Sequence, residues 1–313
     1  MNKVPVIFGP TASGKTRLSI ELAKVLDGEI ISADSMQVYK YMDIGTAKPT
    51  KEEMCGIKHY LMDEINPDEE FSVASYQQRA LQYIKQIISK GKMPIVVGGT
   101  GLYINSLIYN INFSESISDW GYREELKQEA LQKGNKYLHD KLREVDPEAA
   151  QRLHVNDLKR IIRALEVFKY TRKPISYHQK VSRDNPPIYD FVLAGLTMDR
   201  QKLYDRINRR VDSMLESGLV EEVKRLVDMG YDQNSVAMQG LGYKEILAWM
   251  KGEISLEEAV YIIKRDTRHY AKRQITWFKR LQNVLWLDMD NFSDICEPVK
   301  IIENHIARSG IIL

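Results

Sequence analysis

The eight residues from Gly9 to Thr16, Gly-Pro-Thr-Ala-Ser-Gly-Lys-Thr, constrain the fold of this chain more than any other stretch. They follow an apolar run over 4–8 and precede a helical pattern of apolar residues over 18–26. Strand, glycine-rich turn and helix is the setting in which G-x-x-x-x-G-K-[ST] binds phosphates, because loop N–H groups and a helix N-terminus surround the anion. Lys15 adds a full positive charge, and the hydroxyl of Thr16 can hold Mg²⁺. The motif predicts a di- or triphosphate site formed by Gly9, Pro10, Thr11, Ala12, Ser13, Gly14, Lys15 and Thr16.

Composition places few further limits on the chain. Its 313 residues suffice for one core with an appended region, and its net charge of +2 is too small to require a polyanionic partner. The two cysteines, Cys55 and Cys296, fit neither a zinc motif nor a disulfide framework, and we expect both to be buried in a reducing compartment. We expect no signal sequence before the glycine-rich loop, and glycines and polar residues within 94–111 argue against a membrane span. The expected location is cytoplasmic.

Two further apolar runs end in residues of chemical interest. The run 29–33 is followed by Asp34, and the run 94–97 is followed by Gly98-Gly99-Thr100-Gly101. Open α/β sheets bind ligands at the carboxyl ends of their parallel strands, so we expect Asp34, on a strand neighbouring the first, and Thr100 to face the phosphate loop. A helix cap or a tight turn would explain the same residues without a ligand.

The character of the chain changes between residues 113 and 183. Strand patterns are absent there, and charged helical patterns cover 123–142 and 157–170, with linker-like residues at 114–116 and 185–187. We therefore predict an α/β fold, a P-loop NTPase-like parallel sheet flanked by helices with an inserted all-helical domain. The expected boundaries are 1–112 for the first part of the core, 113–183 for the insertion and 184–313 for the rest of the core.

Basic residues stand out at three places. Lys159, Arg160 and Arg163 share one turn of the insertion, where a solvated helix face would give the same pattern. Arg210 lies at the edge of an apolar helical stripe, so it either extends along the surface or meets a pyrophosphate. The stretch from 264 to 280 contains seven Lys or Arg and one acid. One side of that helix is predicted to form a rail for a phosphate backbone, although a solvated basic face remains an alternative; its members are Arg265, Arg268, Lys272 and Lys279.

Several motifs together resemble the bacterial tRNA dimethylallyltransferases. Besides the phosphate loop, they are Ile-Ser-Ala-Asp-Ser-Met-Gln-Val-Tyr (31–39), Met-Asp-Ile-Gly-Thr-Ala-Lys-Pro (42–49), Val-Gly-Gly-Thr-Gly-Leu-Tyr (97–103), Gly-Tyr-Lys-Glu (242–245) and Thr-Arg-His-Tyr-Ala-Lys-Arg-Gln-Ile-Thr-Trp-Phe (267–278). They occur in the family's order over nearly the whole chain. Eukaryotic members carry a zinc-finger extension that two distant cysteines cannot form.

The resemblance implies transfer of a dimethylallyl group from its diphosphate to the exocyclic N6 of the adenosine just 3′ of the anticodon. The phosphate loop would then hold the donor's pyrophosphate, with Mg²⁺ at Thr16, and the family's catalytic positions correspond to Asp34, Thr100, Arg210 and Lys15. Asp34 is the expected general base.

Gln274 stands among apolar helical positions, and we interpret it as inserting beside an unstacked base. The implied tRNA contacts are Asp34, Ser35, Met36, Gln37, Thr100, Arg123, Lys159, Arg160, Ile161, Ile162, Arg163, Lys272, Arg273 and Gln274. The expected partners are tRNA and dimethylallyl diphosphate, with no membrane and with the chain acting as a monomer.

Three other functions remain open on the sequence alone. A small-molecule kinase would use the same loop and consume ATP, with the insertion as a lid. A non-catalytic P-loop protein would bind tRNA without forming a product. An enzyme that prenylates free adenine nucleotides would need neither the insertion nor the basic rail.

Overall fold

The computed structural model describes residues 2–113, 119–184 and 186–309, without the side chains of 182–184. Within these residues, six parallel strands form one sheet in the order β3-β2-β4-β1-β5-β6. The strands are β1 (Lys3–Phe8), β2 (Gly28–Ala33), β3 (His59–Tyr60), β4 (Met93–Gly98), β5 (Asp190–Thr197) and β6 (Leu285–Asp288). The predicted parallel sheet flanked by helices is confirmed.

The helices of the described residues fall into two groups, one formed by the five consecutive helices between residues 120 and 184 and the other by the remaining helices. The five consecutive helices are α4 (Trp120–Lys133), α5 (Asn135–Val145), α6 (Pro147–Arg152), α7 (Leu158–Thr171) and α8 (Ile175–Asp184). The remaining helices are α1 (Lys15–Val25), α2 (Val73–Ser89), α3 (Gly101–Ile108), α9 (Arg200–Glu216), α10 (Leu219–Asp228), α11 (Tyr243–Met250), α12 (Leu256–Phe278) and α13 (Cys296–Arg308).

The register of the sheet places three strand ends side by side. Gly98 at the end of β4 pairs with Phe8 of β1 on one side and with Ala33 of β2 on the other. The prediction that the strand before Asp34 is a direct neighbour of β1 is wrong, because β4 lies between them. The three loops that leave these strands nevertheless start at the same edge, as parallel strands require.

Local sequence signals explain most element boundaries. Ser72 caps α2 by accepting from the N–H of Ser75, and Asp199 caps α9, as its position before an apolar stripe predicts. The helical pattern over 123–142 is divided in the structure into α4 and α5, because Gly134 adopts a φ of 83° that ends the first helix. Strand β3 has only two residues and no periodicity, and the sequence analysis missed it.

The chain divides into two compact units, Met1–Ser106 with Tyr189–Leu313, and Leu107–Ile188. The first unit contains the sheet, and one of its cores packs α1 and α13 against the strands. The second unit has its own core, formed by apolar side chains of α4 to α7. The predicted insertion, 113–183, lies within the second unit. Of the residues predicted to be linkers, 114–116 and 185 lie outside the described residues.

The structure contradicts the expectation for the two cysteines. Cys55 and Cys296 are both exposed, so the prediction that they are buried apolar residues is wrong. Cys55 lies in a turn with a φ of 49°, where the polar loop around it offers no core to enter. Across the described residues, no helix is both long enough and apolar enough to span a bilayer.

Candidate active site

The phosphate loop connects the end of β1 to the start of α1 with two residues in left-handed conformations. Gly14 has a φ of 93° and Ala12 a φ of 62°. Such residues turn successive backbone N–H groups towards the same side, which creates a concave anion site. Gly14 is also the N-cap of α1 and supplies no side chain, so the first-turn N–H groups are left for a ligand. The loop geometry is that of a phosphate site.

Lys15, in the first turn of α1, has a strongly perturbed ammonium group. Its Nζ donates a hydrogen bond to the carbonyl of Pro10 at 2.7 Å. Burial and the positive charge of Arg210 together lower the pKa of Lys15 to about 7, although the negative charge of Asp34 acts in the opposite direction. The positive charges of Lys15 and Arg210 therefore repel each other in one cleft, and a bound polyanion would offset this repulsion.

Arg210, on α9, is directed into the site rather than along the surface. Burial lowers the pKa of its guanidinium, while the charges of Asp34 and Glu53 act in the opposite direction. Its Nη2 donates to the carbonyl of Ala47 at 3.5 Å. Arg206, one turn earlier on α9, is exposed, and its guanidinium lies against the sulfur of Met198. Of the two arginines at the stripe edge, only Arg210 lines the cleft.

Asp34 and Thr100 follow β2 and β4 and are held by a shared turn. Oδ1 of Asp34 accepts from the N–H of Met36 at 2.9 Å, while Oγ1 of Thr100 accepts from the N–H of Ser35 at 3.1 Å. The N–H of Thr100 donates to the carbonyl of Ala33 at 3.1 Å. These contacts fix the two loops to each other, so the carboxylate is presented from a rigid turn.

Gln274, on α12, joins the phosphate loop to the loop after β4. Its Oε1 accepts from the N–H of Thr11, and its Nε2 donates to the carbonyl of Gly99, both at 2.9 Å. The side chain is buried, and its amide therefore supplies one acceptor and one donor where an apolar residue would leave both backbone groups unpaired. This double contact explains a polar residue among apolar positions; contact with an unstacked base stays a prediction.

A cleft with a cavity volume of about 90 Å³ opens between these loops. Its lining includes many of the residues named in the sequence analysis, namely Thr11, Lys15, Thr16, Asp34, Gln37, Arg210 and Gln274. Asp34 therefore lines the same cavity as Lys15 and Arg210, which is the arrangement that the implied chemistry needs. The other loop residues, Gly9, Pro10, Ala12, Ser13 and Gly14, form the backbone of the phosphate loop, and Ser35 and Met36 form the turn after β2.

The cleft also contains residues to which the sequence analysis gave no role. Tyr270 of α12 lines it, and burial together with the charge of Asp34 raises the pKa of its phenol to about 12, so it is a neutral donor. Tyr270 belongs to the motif 267–278, where the apolar residues on its side of the helix suggest only packing. His59 of β3 also lines the cleft, and burial lowers the pKa of its imidazole. Thr46 and Pro49 enter from the loop 42–49.

The basic side of α12 is shorter than the sequence pattern predicts. Arg265 pairs with Asp266 at 2.7 Å, and Arg268 donates to the side chain of Asn208 at 2.6 Å. Their neighbours near the end of the helix are exposed: Lys272, Arg273, Lys279 and Arg280. The predicted rail is therefore reduced to this C-terminal patch.

In the second unit, a buried carboxylate organises the arginines. Glu166 is fully buried and accepts from Nε and Nη2 of Arg123 at 2.9 and 3.0 Å; it also pairs with Arg163. The guanidinium of Arg123 also lies over the ring of Trp120, 4.9 Å from its centroid. This ion cluster ties α4 to α7.

The segment 159–163 divides between surface and core. Lys159 and Arg160 are exposed, whereas Ile161 and Ile162 are buried in the core of the unit. The expectation that all five residues contact RNA stays a prediction, although burial of the two isoleucine side chains favours contact through Lys159 and Arg160.

Comparison with known proteins adds four findings. A family model described as IPP transferase matches residues 37–281. A tRNA dimethylallyltransferase from Acetivibrio thermocellus is 64% identical over 313 residues, which covers 100% of both chains. A crystal structure of the full-length tRNA isopentenylpyrophosphate transferase from Bacillus halodurans is 46% identical, with a TM-score of 0.74 and coverage of 99% of this chain and 98% of that one. A eukaryotic dimethylallyltransferase crystallised while acting on tRNA is 30% identical, with a TM-score of 0.85 and coverage of 100% and 81%.

Proposed function

The chain belongs to the IPP transferase family, and from that premise we propose that it transfers a dimethylallyl group from dimethylallyl diphosphate to tRNA. The acceptor is the N6 amino group of the adenosine 3′-adjacent to the anticodon, and diphosphate is released. One observation carries the proposal: Asp34, Lys15 and Arg210 line a single cleft, with a carboxylate on one strand end and two cations facing it.

The cationic part of the cleft suits the leaving diphosphate. When the bond between the allylic carbon and the bridging oxygen breaks, negative charge develops on the diphosphate, and fixed positive groups stabilise it. Lys15, Arg210 and the N–H groups of the phosphate loop are such groups. The hydroxyl of Thr100 donates to the bridging oxygen in this proposal.

Mg²⁺ fits the same place through Thr16. Among the described residues, no group of three His, Cys, Asp or Glu side chains could hold a metal by itself. Mg²⁺ usually keeps several waters and binds through one or two protein ligands and substrate phosphates, so the exposed hydroxyl of Thr16 at the start of α1 suffices beside a diphosphate. When bound, the ion neutralises charge on the leaving group.

The carboxylate suits the nucleophile. The amino group of adenine attacks the allylic carbon, a C–N bond forms, and the amino proton moves to Asp34 as general base. Because the target base stacks within the anticodon loop, it must be extruded to enter the cleft. Gln37 and Gln274 line the cleft that such a base would enter, and Ser35 and Met36 belong to the turn that follows Asp34.

The remaining proposed contacts are basic side chains that bind the RNA outside the cleft. Lys272 and Arg273 on α12 are exposed cations suited to phosphates, as are Lys159 and Arg160 in the second unit. Arg123 and Arg163 contribute through guanidinium groups already oriented by Glu166. The protein acts as a monomer in the cytoplasm in this proposal, where tRNA is available.

One assay tests the proposal against its alternatives. The protein is incubated with labelled dimethylallyl diphosphate, Mg²⁺ and either tRNA or AMP, and ATP consumption is followed in parallel. Label in tRNA alone supports the proposal. Label in AMP indicates a free-nucleotide prenyltransferase, ATP consumption indicates a kinase, and tRNA binding without label in any product indicates a non-catalytic protein.

A further inference from the structure

A buried carboxylate behind the cleft holds a loop of the site. Glu222 lies on α10 and is 1% exposed. Its Oε2 accepts from the N–H groups of Asp43 and Ile44 at 2.9 and 2.8 Å, and its Oε1 accepts from the N–H of Gly45 at 3.0 Å and the hydroxyl of Tyr243 at 2.6 Å. All four of these donors are neutral.

These four partners restrict the positions that the Glu222 carboxylate and the loop can adopt. Burial of a charge is costly unless every lone pair finds a donor, so Glu222 favours one position of three consecutive N–H groups. Tyr243 restricts the loop further, because a Cβ on Gly45 would lie 2.6 Å from its ring. The segment 43–45 therefore has essentially one position relative to α10 and α11.

The same loop continues directly into the cleft. Thr46 and Pro49 line the cavity, and the carbonyl of Ala47 accepts from the guanidinium of Arg210 at 3.5 Å and from Nε2 of Gln37 at 3.4 Å. Because Glu222 fixes the residues immediately before Ala47, a shift at 43–45 would move the carbonyl that orients Arg210.

We infer that Glu222 is a positioning residue for the diphosphate end of the cleft, acting through the loop 43–47 on Arg210. The inference rests on the proposed function, which assigns Arg210 to the diphosphate. Glu222 contacts no substrate in this proposal; through the loop 43–47 it determines the orientation of the Arg210 guanidinium.

A double-mutant cycle tests this coupling with inorganic pyrophosphate as the probe. The variants are Glu222→Gln, Arg210→Ala and the two combined, and the dissociation constant of pyrophosphate is measured by calorimetry for each. Glutamine keeps the size of the side chain but turns an N–H₂ group towards N–H donors. We expect Glu222→Gln to weaken binding about tenfold, since a lost orienting contact is worth about one hydrogen bond, and to weaken it less than about twofold in the Arg210→Ala background.

Matched variants separate positioning from a structural role. Glu221→Gln removes an exposed charge one residue away on α10 and should leave binding unchanged. Tyr243→Phe removes one of the four donors. It should weaken pyrophosphate binding about threefold, and this loss should again depend on the presence of Arg210. If Glu222→Gln does not fold, Tyr243→Phe replaces it in the double-mutant cycle. For Glu222→Gln and Tyr243→Phe, the KM for dimethylallyl diphosphate should rise while the affinity for tRNA stays constant.

The outcomes are distinct. An equal loss in the wild-type and Arg210→Ala backgrounds overturns the coupling and makes Glu222 a stability residue, as does a folded Glu222→Gln with normal binding. If Arg210→Ala itself leaves pyrophosphate binding intact, the assignment of Arg210 under the proposed function fails instead.

Discussion

The affinity for dimethylallyl diphosphate should fall as pH rises above 7, because Lys15 must be protonated to hold the anion. Burial and Arg210 lower the pKa of Lys15 to about 7 in the ligand-free protein. A bound diphosphate places negative charge beside the ammonium group and raises that pKa, so binding above pH 7 takes up a proton. Between pH 7 and the pKa of the complex, the dissociation constant therefore increases with pH.

The size of the effect follows from the pKa. Lys15 is protonated in about half of the free molecules at pH 7 and in about one in a hundred at pH 9, so affinity should fall about 50-fold, or roughly 2.3 kcal/mol. A terminal phosphate loses its last proton near pH 6, so the ligand's own charge changes little over this range. Calorimetry in buffers with different ionisation enthalpies should report uptake of about one proton per diphosphate at pH 8.5.

A substitution isolates the group responsible. Lys15→Arg keeps a charge that does not titrate below pH 12, so its affinity, although weaker because the fork does not fit the loop, should be independent of pH between 7 and 9. Equal affinity of the wild-type protein at pH 7 and pH 9, or a pH dependence that persists in Lys15→Arg, would refute the reasoning.

The remaining predictions concern the base, the RNA contact and the link between loops. Asp34→Asn should lower turnover by on the order of 10²-fold or more in single-turnover assays, with tRNA affinity far less affected; equal loss of both would make it an RNA-positioning residue. Lys272→Ala should flatten the dependence of log K for tRNA on log salt by roughly one unit, whereas the exposed Lys300→Ala on α13 should not; equal slopes would remove Lys272 from the interface. Gln274→Leu should lower the free energy of unfolding in urea by about 2–3 kcal/mol, since two buried backbone groups lose their partners; an unchanged midpoint would mean that water replaces the amide.

The parts of the site that the sequence predicts are those governed by local rules. Gly14 and Lys15 belong to a motif whose geometry is set within eight residues, and Asp34 follows a strand whose direction is fixed by connection length. Strand order is not local, and nothing in the sequence places β4 between β1 and β2.

The roles that the sequence does not reveal depend on partners far along the chain. The role of Glu222 appears only when the N–H groups of 43–45 are in place, since a helical glutamate otherwise suggests a solvated face. The sequence does not show the two backbone partners of Gln274, at Thr11 and Gly99, because both lie more than 170 residues away. Helical periodicity predicts which residues share a face of a helix, but it does not predict which residues elsewhere in the chain pack against that face.

The link made by Gln274 has a consequence for how the enzyme matures on the ribosome. The phosphate loop precedes Gln274 by more than 250 residues, so it is synthesised long before the side chain that ties Thr11 to Gly99. Nascent or prematurely terminated chains that lack α12 thus carry an anion-binding sequence without the cross-link that shapes it. The site in its described form therefore requires that α12 has been synthesised.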